Sequence, residues 1–161
     1  MLKGTKIVLR SLQPTDLDFL EKIENNEENW QFGSERKEYS RRDLELYILN
    51  AKADIKLAKQ YRFVIQLSGL AIGFIDLFNY TIKSAGIGII IDKEYRNKGF
   101  AKEALNLIID YSFDVLNISQ LHVSIAKDNI ASLKLFSSCR FELETETENL
   151  QYFFKLAKNK I

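Results

Sequence analysis

Cysteine, proline, tryptophan and histidine each occur once in the 161 residues. A lone thiol, Cys139, excludes an internal disulfide and fits a reducing compartment, which makes the cytoplasm the expected location. No apolar run approaches the roughly 18 residues that a membrane helix needs. The opening Met1-Leu2-Lys3-Gly4 runs straight into a strand-like segment and lacks the apolar region of a signal peptide. An excess of one charge is also missing: 23 basic against 22 acidic residues give a formal net charge of +1. Nucleic acid as main partner requires a concentrated basic face, so that class is set aside. There is no internal repeat, low-complexity tract or linker, and one domain spanning 1–161 is expected.

What is present is a succession of clear periodicities. Residues 6–12 alternate as a strand, and Pro14 then punctuates before a helix that Thr15 and Asp18 would cap, running to about residue 25. Residues 25–39 are polar and irregular, with Trp30 and Phe32 embedded. Ser40 and Asp43 form a second cap, followed by a helical stripe of Leu44, Ile48, Ala51, Ile55 and Ala58. Two strands, 61–67 and 71–78, flank the hairpin signal Ser68-Gly69. The nearly continuous apolar run 86–91 reads as a central strand, closed by Asp92. A helix over 99–116 presents Leu105, Ile108, Ser112 and Val115 on one face. A strand at 120–125, a short helix at 130–138 and a final strand pair, 141–147 with 150–156, complete an α+β order.

Arg96-Asn97-Lys98-Gly99-Phe100-Ala101 joins the central strand to the long helix. A basic, glycine-bearing turn opening into a helix makes an anion site, because the first helical amides have no partner within the helix and the macrodipole adds positive charge. The same six residues would also make a good solvated connection. The turn is neither a P-loop nor a dinucleotide fingerprint, so the phosphate it suits belongs to another ligand.

This turn, with the element order, resembles the coenzyme A signature Gln/Arg-x-x-Gly-x-Gly/Ala of the GNAT family of N-acetyltransferases. Asn129-Ile130-Ala131-Ser132-Leu133-Lys134-Leu135-Phe136, continuing to Cys139-Arg140-Phe141, resembles that family's second conserved segment. The resemblance covers essentially the whole chain. Ile7-Val8-Leu9-Arg10 with Asp16-Leu17, and residues 110–117, are most similar to the branch of ribosomal-protein alanine and spermidine or diamine acetyltransferases.

The resemblance implies a mixed central sheet with splayed central strands and helices on both faces. It implies acetyl-CoA as co-substrate and no metal. The donor's pantetheine arm would pair along Ile89, Ile90 and Ile91, with a strand amide near Ile89 or Ile90 receiving the developing oxyanion. Its pyrophosphate would meet Arg96, Asn97, Lys98, Gly99, Phe100 and Ala101. Asn129, Ser132, Lys134 and Phe136 would complete the donor site. The implied acceptor is a primary amine, a small polyamine or diamine ahead of a peptide N-terminus or an antibiotic amine. Dimers are common in the branch, so a homodimer is carried as an expectation.

Two departures bear on catalysis. Phe136 replaces the tyrosine that often protonates the departing thiolate, with water, Tyr80 or Tyr111 as substitutes. Gly86 stands near where relatives carry a glutamate base, and Asp76 on the preceding strand is the replacement candidate as base or amine anchor. A third departure, Cys139-Arg140 in place of Leu-Gly, puts the expected left-handed turn in question. Glu24, Glu27 and Glu28 are candidates to bind a cationic amine, with an acidic solvated loop as the alternative; Trp30 and Phe32 are candidates to wall its pocket, with a hydrophobic anchor for an irregular loop explaining them equally well. His122, mid-strand, suits a half-buried position better than a base role, and Cys139 an inert packing thiol. A coenzyme A-binding module with little catalysis, and a nucleotide-binding protein using the same turn, remain as alternatives.

Overall fold

A computed structural model describes residues 1–31 and 38–158, with the side chains of Trp30 and Gln31 left outside the described set. A two-residue strand, β1 (Leu2–Lys3), pairs antiparallel with β2 (Ile7–Ser11), the strand expected at 6–12. Helix α1 (Leu17–Glu24) follows a 3₁₀ turn. Its entry is organised by Asp16 rather than by the expected Thr15 and Asp18. The buried Asp16 carboxylate accepts the Gln13 amide at 2.7 Å and both guanidinium nitrogens of Arg10 at 2.7 and 2.8 Å. Arg10 and Asp16, part of the branch resemblance, thus form a buried structural pair.

The stripe expected over residues 44–58 is divided in two, α2 (Arg41–Asn50) and α3 (Ile55–Ala58). Ser40 caps the first as expected. Asp54 starts a new helix by accepting the Lys56 amide, which breaks the stripe; Leu44, Ile48 and Ile55 still face inward. Strands β3 (Tyr61–Leu67) and β4 (Leu70–Phe78) form the expected hairpin, and β5 (Ser84–Ile91) follows. Helix α4 (Phe100–Asp110) ends in a π turn over Tyr111–Val115. That wider turn shifts the helical phase, and Leu105, Ile108 and Ser112 are buried while Val115 is 62% exposed. Strand β6 (Gln120–Ala126), α5 (Ile130–Ser138), β7 (Glu142–Glu146) and β8 (Leu150–Leu156) complete the chain.

The eight strands form one sheet in the order β1-β2-β3-β4-β5-β6-β8-β7. All neighbours are antiparallel except β5 and β6. Helices cover both faces. Ile7, Leu9, Ile65, Ile75 and Ile87 pack with Leu105 and Ile108 of α4 on one side. Leu12, Val64 and Phe74 pack with Leu20 and Ile23 of α1 and with Leu44 and Ile48 of α2 on the other.

Arg140 adopts φ 64°, so the left-handed turn after α5 forms without a glycine. The Phe141 amide returns to the Phe136 carbonyl at 3.0 Å, closing the helix end in the manner of a Schellman motif.

Candidate active site

The parallel pairing of β5 with β6 runs from Ser84 opposite Gln120 to Gly86 opposite His122 and then stops. Beyond that rung β6 continues with β8 as far as Ala126, while β5 continues with β4 as far as Ile91. The sheet therefore splits at its centre, and residues 88–91 have no β6 partner along that edge. Strand alternation decides which amides face the gap. The Asp92 amide donates to Ile72 of β4 at 2.8 Å. With a two-residue period, Ile90 and Gly88 point the same way, and Ile89 and Ile91 point into the gap. This corrects the expectation for Ile90: its amide faces β4, and it is the Ile89 amide that faces the gap.

A cleft of about 490 Å³ occupies the split. One wall is Ile89, Ile90 and Ile91; the opposite wall is α5, from Asn129, Ser132 and Lys134 to Leu135 and Ser138. The end is closed by the turn from Tyr95 to Lys102. Asn97 and Gly99 take left-handed conformations, φ 62° and 87°, and bring the chain into the start of α4. No side chain caps that helix, which leaves its first amides directed at the cleft. A Cβ on Gly99 would meet no atom within 4 Å, so the space above the turn is open for a ligand's phosphates. The structure thus has room, an unpaired strand edge and an anion-binding helix terminus in one groove, a donor set suited to a pantetheine carrying a pyrophosphate.

Individual residues differ from expectation. Arg96 lines the cleft, but its Nε donates to the Ile91 carbonyl at 2.8 Å and its Nη2 to the Asn29 side chain at 3.0 Å. It braces the strand end against the segment after α1. Lys98 stays exposed, its ammonium 5.9 Å from the Tyr95 ring centre, and does not line the cleft. Asn129 caps α5 by accepting the Ser132 amide at 3.2 Å. Phe136 is a correction: it is 1% exposed, edge-on to Phe141 with ring centres 5.0 Å apart, and belongs to the core rather than to the donor site. Lys102 was missed, although it follows Lys98 by one helical turn. Leu135 and Ser138 were missed too, although Ala131, Leu135 and Ser138 recur at helical spacing on the wall of α5.

Gly86 is closed to any side chain: a Cβ there would lie 2.6 Å from the Phe78 ring and 3.0 Å from His122. Tyr80 and Tyr111 lie outside the cleft lining, Tyr80 buried and Tyr111 packed edge-on to Phe63. Burial pushes the His122 pKa down, with Glu144 opposing. Cys139 is buried.

Asp76 lies directly across β3–β4 from Arg62, whose fork meets both carboxylate oxygens at 2.8 and 2.9 Å. The same guanidinium reaches Glu24 of α1 and lies between the rings of Tyr47 and Phe74, 5.4 and 5.0 Å from their centres. Burial works against the Arg62 charge, but the fields of Asp76, Tyr47 and Glu24 and the hydrogen bond to Asp76 hold its pKa well above the ordinary value. Glu27 and Glu28 are exposed in the 3₁₀ turn after α1. The side chain of Trp30, and Phe32 altogether, lie outside the described residues. Among the described residues no group of His, Cys, Asp or Glu is placed to hold a metal, and no helix is long and apolar enough to cross a membrane.

The profile of the acetyltransferase (GNAT) domain matches residues 6–142. The spermidine N(1)-acetyltransferase of Vibrio cholerae serotype O1 is 32% identical over 142 residues, covering 86% of this chain and 80% of the relative. That of Escherichia coli K12 is 31% identical over 148 residues, covering 91% of this chain and 78% of the relative. The crystal structure of the Vibrio cholerae spermidine N-acetyltransferase in complex with CoA and spermine aligns at a TM-score of 0.83 with 28% identity, over 94% of this chain and 95% of that one. With the split sheet, the open strand edge and the uncapped helix above a glycine turn, these matches establish that the chain belongs to the GNAT family of acetyl-CoA-dependent N-acetyltransferases.

Proposed function

We propose that this enzyme acetylates a primary amine of a polyamine. The observation that carries the reading is the likeness, over 94% of the chain, to a structure that holds both CoA and spermine. Polyamines are cations at neutral pH, and the acceptor side offers carboxylates. Glu24 and Asp76 flank Arg62 where α1 meets β4, and Glu27 and Glu28 follow in the next turn.

Each part of the cleft has a task in this reading. Ile89 and Ile91 supply the edge along which the pantetheine arm lies, and the Ile89 amide receives the developing oxyanion. The amides of Phe100, Ala101 and Lys102 take the pyrophosphate, with Lys102 and Lys134 adding charge. Asn129 and Ser132 contact the arm from α5. Acetyl-CoA supplies an activated acyl group, and the acceptor nitrogen attacks its carbonyl. Asp76 has both oxygens on Arg62, and each keeps a lone pair for an N–H of the acceptor, so we assign it the anchoring of the amine. The amine's proton leaves to water. A thiol with an ordinary pKa near 8.5 departs without a dedicated acid; the help that Phe136 cannot give is worth about 10²–10⁴-fold. A homodimer and a cytoplasmic location complete the reading.

Thiol release from acetyl-CoA, followed with spermidine, spermine and a peptide bearing a free N-terminus, tests it. Polyamines are expected to exceed the peptide in kcat/KM by at least about tenfold, the scale of one charge-assisted contact. Asp76→Asn is expected to lower kcat/KM for spermidine by roughly 10–100-fold while leaving acetyl-CoA affinity unchanged. A peptide acetylated faster than either polyamine would overturn the substrate class.

A further inference from the structure

Gly86 and Gly88 are two residues apart on β5, so they bare the same face of the strand. Their partners across β4 are Phe78 and Asp76. The Phe78 ring lies across both glycines. A Cβ on Gly86 would be 2.6 Å from Cε2, whereas one on Gly88 would be 3.7 Å from Cε1. The Asp76 carboxylate stands on the other side, its Oδ2 3.9 Å from the same Gly88 position. The result is a notch floored by bare backbone, with an aromatic ring on one side and a carboxylate on the other. It lies between the last β5–β6 rung at Gly86 and the cleft wall that starts at Ile89. Phe78 and Gly88 are half-buried and the Asp76 side chain is 28% exposed, so the notch is open to an entering group.

We infer that this notch receives the reacting amine of the acceptor, and that Arg62 is the positioning residue that holds Asp76 at its edge. The inference rests on the polyamine reading and names the part of the site that reading needs. An alkylammonium suits these surroundings: the carboxylate takes its N–H groups and the ring takes its charge and methylenes. Arg62 is fixed independently of any ligand by Glu24 and by the rings of Tyr47 and Phe74. Its fork sets both oxygens of Asp76, which a lysine, as a point charge on a flexible stem, would not do. The bare backbone at Gly88 brings the amine within reach of the carbonyl that the neighbouring Ile89 amide would polarise.

Gly88→Ala is the decisive variant, because its methyl meets only ordinary contacts of 3.7–4.0 Å and the fold can keep it. It is expected to raise the KM for spermidine by roughly tenfold or more, with the acetyl-CoA dissociation constant and Tm close to wild type. Arg62→Lys is expected to lower kcat/KM for spermidine by about tenfold and Arg62→Met by more, both without loss of acetyl-CoA affinity. Unchanged spermidine kinetics in Gly88→Ala would overturn the notch while leaving the polyamine reading intact. Equal kcat/KM in the folded Arg62 variants would reduce that residue to a structural role. A wild-type enzyme that binds acetyl-CoA but acetylates no polyamine would instead remove the reading on which the notch rests.

Discussion

Arg140 shows how a single position can depart from its family pattern and keep its geometry. The turn after α5 needs a left-handed residue, and Arg140 supplies it at φ 64°. A side-chain-bearing residue pays roughly 1–2 kcal/mol for that conformation, partly offset in any comparison by glycine's larger entropy loss on folding. Arg140→Gly is therefore expected to stabilise the protein by roughly 0.5–1 kcal/mol, raising Tm by about 1–4 °C in a thermal melt. A lower Tm would mean that the arginine side chain makes a compensating contact. Gly86 is the opposite case, since its departure is enforced by the Phe78 ring. A glutamate could not stand there without displacing that ring. Asp76, the carboxylate that faces Gly88 from β4, was recognisable in the sequence by position. Its partner Arg62 was not. Counting back from the two-residue turn, Leu67 faces Leu70 and Arg62 would face Ile75. The irregularity between Ile65 and Gln66 shifts the register by one and sets Arg62 against Asp76.

At the level of elements, the strand–turn–helix unit β5–α4 carries the donor site and is anchored from an unexpected direction. Glu103, in the first turn of α4, accepts the Ile7 amide at 2.7 Å and the Lys6 amide at 3.1 Å. It ties the helix whose N-terminus faces the cleft to the edge of the sheet. Glu103→Ala leaves those amides without their acceptor, an expected cost of roughly 1–3 kcal/mol and a Tm lower by about 2–10 °C. A melt indistinguishable from wild type would show that water replaces the carboxylate. Elements with strong periodicity and recognisable caps were legible in the sequence: β2, the β3–β4 hairpin, β5, α5 and the Ser40 cap. Breaks inside a continuous pattern were not. The Asp54 start of α3 and the π turn after Asp110 leave the apolar spacing almost unchanged while altering which residues face in. Amide direction at Ile89 against Ile90 was hidden as well, because it depends on the β4 partner and side-chain patterning does not report it.

For the whole molecule, one half of the sheet is sandwiched between helices and the other splits away to admit a ligand. The split explains why β5 is nearly all apolar yet only partly buried: Ile89 and Ile90 wall a cleft. His122, opposite Gly86, has its pKa lowered by burial, and Glu144 only partly opposes this. The unfolded chain, with histidine near its ordinary 6.5, therefore binds more protons than the folded one just below that pH. Stability is expected to fall as pH drops through about 6.5, and His122→Gln to flatten that part of the Tm-against-pH curve. A slope unchanged by the substitution would place the acid sensitivity elsewhere.

The central claim is that the split between β5 and β6, closed by the Arg96–Ala101 turn, is an acetyl-CoA site. Thermal unfolding with and without saturating acetyl-CoA tests it most directly. Ligand at about 100 times its Kd is expected to add roughly 2.7 kcal/mol, a rise in Tm on the order of 5–10 °C for a domain of this size. Gly99→Ala, strained at φ 87° and carrying a methyl into the open space over the turn, is expected to lose most of that shift. No shift for the wild-type protein at millimolar acetyl-CoA would contradict the account, because the open strand edge and the uncapped helix would then have no such ligand.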